Sequence, residues 1–170
     1  EHADVKRIVE EYQTKYQRIV YKKIENKGIA ANTNAAAELA AGEYLALADH
    51  DDILAPHAMY TMGQAIRQLR EAGEPDGFLY SDEALFTKKI EKPLVAHFKP
   101  DYAPDYLLCC NYICHLAVFR RELFEQVGGE RPECDGSQDH DLFLRLIEQV
   151  GGAAHVPQVL YYWRVHEGST

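Results

Sequence analysis

Residues Asp49-His-Asp-Asp52 place three carboxylates within four positions, directly after the apolar run Leu45-Ala-Leu-Ala48. Such a run reads as a short strand, and in an open α/β sheet ligands bind just beyond the carboxyl ends of the strands. Acids placed there face a crevice instead of bulk water. They suit hard divalent cations, which take oxygen donors and keep open positions for substrate phosphates. The competing reading is an acidic loop whose Asp side chains cap the helix that starts near Pro56. A second pair, Asp139 and Asp141, follows Ser137, a residue suited to capping a helix. Asp139 then lies in a first helical turn, where the helix dipole favours the ionised carboxylate. Trp163-Arg-Val-His166 closes the series. Only a fold can bring these three regions together.

The elements that must do so alternate along the chain. Val5, Ile8, Val9, Tyr12 and Tyr16 recur at helical spacing and predict an amphipathic helix over 3–17, with a strand near 18–24. After the turn at Asn26-Lys-Gly28, the alanine-rich stretch 30–41 suits a helix buried on a sheet and stopped by Gly42, ahead of a strand at 43–48. Met59, Met62, Ile66 and Leu69 form one apolar stripe ending at Gly73, and 78–81 is a strand that ends in acids at Asp82 and Glu83. Pro93, Pro100 and Pro104 predict an irregular excursion over 84–106 with a short edge hairpin. A strand at 115–120, a short helix at 122–127 and the Gly128-Gly129 turn follow. The helix after Ser137 buries Leu142, Phe143, Leu146, Ile147 and Val150, and a final strand spans 156–164.

A chain of 170 residues, 46% apolar and 26% charged, fits one domain with a core of its own. A net charge of -9, with no basic run longer than a pair, speaks against nucleic acid as the main partner. Cys109, Cys110, Cys114 and Cys134 show no Cys-x-x-Cys pairing, so they read as buried thiols of a reducing compartment. The opening Glu1-His-Ala-Asp4 is not a signal peptide, and no apolar stretch reaches the ~18 residues of a membrane span.

Asn26-x-Gly28 with Asn34, Ala41-Gly-Glu-Tyr44, Asp49-His-Asp-Asp52, Pro56, Tyr80-Ser-Asp-Glu83, Lys99-Pro100, Asn111-Tyr112, Gly128-Gly129, Ser137-Gln-Asp-His-Asp-Leu142 and Tyr162-Trp-Arg-x-His166 form an ordered series. Together they resemble the family 2 glycosyltransferases, most nearly the bacterial rhamnan and O-antigen members that build cell-surface polysaccharides. The resemblance implies an α/β protein of GT-A fold, a Rossmann-like α/β/α sandwich with a mostly parallel mixed sheet. It also implies inverting transfer of a sugar from a nucleotide-diphosphate sugar to a glycan or lipid-linked acceptor.

On that resemblance Asp49 and Asp51 match the family's Asp-x-Asp element, holding Mn2+ or Mg2+ with His166, while Lys27, Asn34 and Arg164 contact the nucleotide and its phosphates. Asp139 takes the place of the catalytic base. Asp82, Glu83, Gln138 and Trp163 fall on the acceptor side, Gln138 standing where many relatives carry Glu. Residues 1–56 form the nucleotide-sugar part and 57–170 the acceptor part of one catalytic domain. Family members begin with a strand, helix and strand that this chain lacks, so the sheet is expected to be N-terminally incomplete. Its open edges then invite association between copies, and a fragment that only binds a sugar nucleotide, glycan or partner chain is the rival reading. A cytoplasmic location at the inner membrane face, with peripheral membrane association, follows from the family's acceptors.

Overall fold

The alternating runs and helical stripes condense into six α-helices, a 3-10 turn at Pro132–Cys134 and six strands among residues 2–166, which the computed structural model describes. In chain order they are α1 (His2–Lys15), α2 (Ile29–Ala37), β1 (Tyr44–Ala46), β2 (Ile53–Leu54), α3 (Ala58–Ala72), β3 (Phe78–Phe86) and β4 (Val95–His97). Then come α4 (Pro104–Cys109), β5 (Ala117–Arg120), α5 (Arg121–Gln126), α6 (Gln138–Val150) and β6 (Ala154–Arg164). Glu1, the first residue of the tetrapeptide weighed against a signal sequence, lies outside the described residues. No helix among them is long and apolar enough to cross a membrane.

The two-residue period of a strand divides the core in two. Phe78 and Tyr80 of β3 and Ala117 and Phe119 of β5 lie in one apolar cluster, while Leu79 and Val118 lie in the other. α6 covers the first with Leu142, Phe143, Leu146 and Ile147; α3 covers the second with Ala58 and Met62. Helices on both faces of one sheet make the expected sandwich. Met59, assigned to the apolar stripe of α3, is exposed, because it faces away from the sheet that receives Met62.

The sheet runs β1-β5-β3-β6-β2, and β4 pairs with β3 farther along the edge that β5 uses. Among the described residues β3 and β6 alone pair in parallel and the other pairs are antiparallel, so the sheet is mixed but not mostly parallel. The 84–106 excursion resolves into the β3–β4 hairpin and the start of α4. The predicted strand at 18–24 does not form: Val20, Tyr21 and Ile24 are exposed and pair with no strand among the described residues. α1 does form, yet Val5, Ile8 and Tyr12 of its apolar stripe are exposed as well.

Two cysteine assignments also change. Cys109 ends α4 and Cys110 follows it, and both are exposed instead of buried as thiols of the core.

α2 is anchored by a residue distant in sequence. Its first N–H groups, at Ile29 and Ala30, donate to the Asp135 carboxylate at 3.2 and 2.9 Å, which satisfies donors that a helix start leaves open. Gly28 makes the approach possible: its φ is 105°, and a Cβ there would lie 2.3 Å from Asp135 Oδ2. This contact fixes α2 against the segment that leads into α6.

Candidate active site

β1 is followed by Leu47-Ala48, which delivers Asp49 to a cleft of about 570 Å³. Opposite it, the first turn of α6 supplies Gln138 and Asp139, and β6 supplies Trp163. The cleft floor carries Cys114 and His115, the residues just before β5, and its wall carries Glu130. Asp49 and Asp139, which spacing alone could not join, therefore share one cavity.

His115 links the two halves. Its Nε2 lies 3.6 Å from Asp49 Oδ2, and its ring stacks on Tyr161 at 4.7 Å between centroids. Tyr161 Oη in turn accepts the Asp49 N–H at 3.0 Å. The His115 backbone is held from below, its N–H donating to Glu83 Oε2 at 3.2 Å and its carbonyl accepting from Lys99 Nζ. The His115 backbone thus rests on a buried ion pair, Glu83 with Lys99 at 3.2 Å.

That pair corrects two assignments. Asp82 and Glu83 are 2% and 3% exposed and lie inside β3, which runs on to Phe86 instead of ending in acids. Asp82 Oδ1 accepts the Lys99 N–H at 2.9 Å and faces His155 Nε2 at 2.9 Å; Glu83 Oε1 faces His97 Nδ1 at 3.2 Å. Both carboxylates are consumed by packing, so neither lines an acceptor path. Burial lowers the Lys99 pKa, and the Glu83 charge opposes that shift.

Asp139 departs from the expectation of a dipole-held, weakly basic carboxylate. Burial pushes its pKa above the ordinary range and the Asp49 charge adds to this, while His115 pulls it back. A carboxylate moved upward is a better proton acceptor near neutral pH. Gln138, its neighbour, bonds the Gly136 N–H through Oε1 at 2.7 Å and lines the same cleft. Asp141 turns outward to Arg145 at 2.6 Å and Arg131 at 3.4 Å. Arg145 also donates to the carbonyls of Val127 and Gly129, tying the Gly128-Gly129 turn to α6.

The other acids of the opening cluster divide their tasks. Asp51 Oδ2 lies 2.8 Å from His166 Nε2, and that hydrogen bond holds the Asp51 carboxyl below its usual range. Asp52 Oδ1 accepts the Arg164 N–H at 2.7 Å, which makes Asp52 an anchor of β6. Arg164 Nε donates to the Asp51 carbonyl at 2.6 Å, and its guanidinium lies 4.5 Å from the Phe86 ring centre. These contacts place Arg164 as a brace of the acidic loop.

Among the described residues no three His, Cys, Asp or Glu side chains gather into a group that could hold a metal ion. Asp49 turns to His115, away from the expected trio with Asp51 and His166. A Mg2+ or Mn2+ ion that binds substrate phosphates needs only one or two protein carboxylates, however, so a two-donor pair such as Asp51 and His166 fits that chemistry.

Lys27 and Asn34 do not reach the acidic cleft. Lys27 lines a separate depression with Ile24 and Asn32. Asn34 is spent on structure, its Oδ1 accepting the Glu130 N–H at 2.9 Å and its Nδ2 donating to the Glu130 carbonyl at 2.8 Å. Sequence reasoning missed Glu130 and the linking role of His115. A glutamate after a Gly-Gly turn carries no pattern of its own, and His115 reads only as the start of the strand at 115–120.

Residues 3–128 match the family model described as Glycosyl transferase family 2. The O-antigen biosynthesis protein RfbC of Myxococcus xanthus is 34% identical over 96% of this chain, which spans only 12% of that protein. Among solved structures, S. aureus TarS 1-349 in complex with UDP-GlcNAc superposes with a TM-score of 0.70 at 16% identity, over 97% of this chain and 47% of that one. Mannosyltransferase PcManGT from Pyrobaculum calidifontis, in complex with GDP-Man and Mn2+, gives 0.62 at 18% identity, over 95% and 44%. At these identities the two structures establish a common fold, the GT-A arrangement.

Proposed function

Because the chain belongs to glycosyltransferase family 2, we propose that its cleft serves inverting transfer of a sugar from a nucleotide-diphosphate sugar to a glycan or lipid-linked acceptor, in the making of a cell-surface polysaccharide. The observation that carries this reading is the meeting of Asp49 and Asp139 in one cavity, with Asp139 held as a carboxylate of raised basicity. Residues 1–56 form the donor part of the domain and 57–170 the acceptor part, and Trp163 offers a flat face for a sugar ring.

The reaction divides among the residues as follows. Asp139 takes the proton of the acceptor hydroxyl as that oxygen attacks the anomeric carbon. A new C–O bond forms on the face opposite the leaving group, the old bond to the diphosphate breaks, and its electron pair leaves with the phosphate. Asp51 and His166 would hold a divalent cation, which would supply positive charge against that gathered on the diphosphate. Asp49 and His115 sit between the two parts and fix Asp139 electrostatically. Acceptors on a lipid carrier would place the work at the cytoplasmic face of a membrane.

The test is a panel of nucleotide sugars given to the full-length protein, with and without chelator. Asp139→Asn should cut transfer by about 100-fold or more while leaving donor binding in place. Wild-type turnover in that variant removes Asp139 as the base. Donor binding that is indifferent to Mn2+ and to chelator removes the cation.

A further inference from the structure

Glu130 belongs to the cleft wall, yet the proposed reaction leaves it without a task. It is 2% exposed, and its Oε2 is buried without a hydrogen-bond partner in the protein. Its backbone is gripped on both sides by the Asn34 amide, from an element far away in sequence. The preceding Gly129 adopts a φ of 71°, and a Cβ there would lie 2.4 Å from Asn34 Oδ1, so the turn is built around that grip. A buried carboxyl with an idle oxygen costs stability that an apolar residue of similar volume would not. Native proteins tolerate such groups where a ligand completes them.

Building on the transfer reading, we infer that Glu130 is a specificity-determining residue whose protonated carboxyl donates a hydrogen bond to a hydroxyl of the sugar bound beside Asp139. The groups that face it are the Thr33 hydroxyl from α2, Asp135 from the turn before α6, and Asp139 and Arg145 from α6 itself. Burial first, then the Asp139 charge, push its pKa up to about 7, so the donating form persists to neutral pH. Sugars are recognised through such fixed donors, because a site built to bond a hydroxyl rejects analogues that lack it. The hydroxyl comes from either the donor sugar or the acceptor, and the kinetics separate the two.

The experiment measures kcat and KM for nucleotide sugar and for acceptor, across pH, in the full-length protein and in its Glu130→Gln and Glu130→Leu variants. Glu130→Leu should raise KM for one of the two substrates about 3- to 10-fold, which identifies the source of the hydroxyl. Glu130→Gln keeps an N–H donor that does not titrate, so it should retain wild-type KM values and lose the fall in activity above about pH 7. Unchanged KM for both substrates in Glu130→Leu overturns the inference. Should that variant fail to fold, an alkaline limb in Glu130→Gln identical to wild type overturns it instead. A wild-type protein that transfers nothing counts against the transfer reading alone. In that case, binding of nucleotide sugar and of acceptor, each by calorimetry, that is equal in wild type and both variants overturns the role of Glu130.

Discussion

Replacing Glu130 with glutamine should change how stability depends on pH, and both size and sign follow from burial. The carboxyl titrates near 7 in the folded protein against an ordinary 4.5, so the folded state binds its proton more tightly than the unfolded chain does. Below the unfolded value both states are protonated and the group contributes nothing. As pH rises from there to the folded value, the unfolded chain releases the proton first, and stability falls. Each unit of difference is worth ~1.4 kcal/mol, so a penalty of about 3 kcal/mol is complete slightly above neutrality. Glutamine carries no proton to release. Urea unfolding of both proteins at about pH 5 and about pH 8 should show wild type losing about 2–3 kcal/mol relative to Glu130→Gln across that interval. Using the difference between the two proteins cancels carboxylates remote from this site. Parallel curves, agreeing within about 0.5 kcal/mol, would refute the argument that the carboxyl is desolvated.

Other parts of the framework respond to equally local changes. Lys99→Met leaves Glu83 buried without its cation and should cost about 3–5 kcal/mol in urea unfolding; adding Glu83→Gln should recover most of it, and failure to recover would deny the pair's coupling. Asp135→Ala removes the carboxylate that caps α2 and should cost about 0.5–2 kcal/mol, read from the same transition; no change would mean that water caps the helix equally well. His166→Ala should weaken the Mn2+-dependent part of nucleoside-diphosphate binding about 10-fold by calorimetry, while metal-free binding stays as it was. An unaltered Mn2+ effect would leave Asp51 without the partner argued for it.

Much of this architecture is legible along the chain. The apolar run Phe78-Leu-Tyr80 predicts a strand, and the stripe from Leu142 to Val150 predicts a helix and the face it buries, because both depend on neighbours close in sequence. Asp139 in a first helical turn is equally local, following from Ser137 and the stripe behind it. The ordered motifs identify the family for the same reason, since each is a short string of residue types. Strand 18–24 fails because a strand needs a partner strand, and none pairs with it among the described residues. Asp82 and Glu83 fail because acids in a strand usually mark its end, whereas Lys99, His97 and His155 arrive from other elements to pair with them.

Residue types along the chain thus determine which carboxylates are available and on which elements they ride. Tertiary structure decides what each one does. Asp49 turns to His115, Asp51 to His166, Asp52 to the backbone of Arg164, and the grip of Asn34 holds Glu130 in the cleft wall. A carboxylate's basicity and partners are set by groups within a few ångströms, and here most of those groups come from distant parts of the chain.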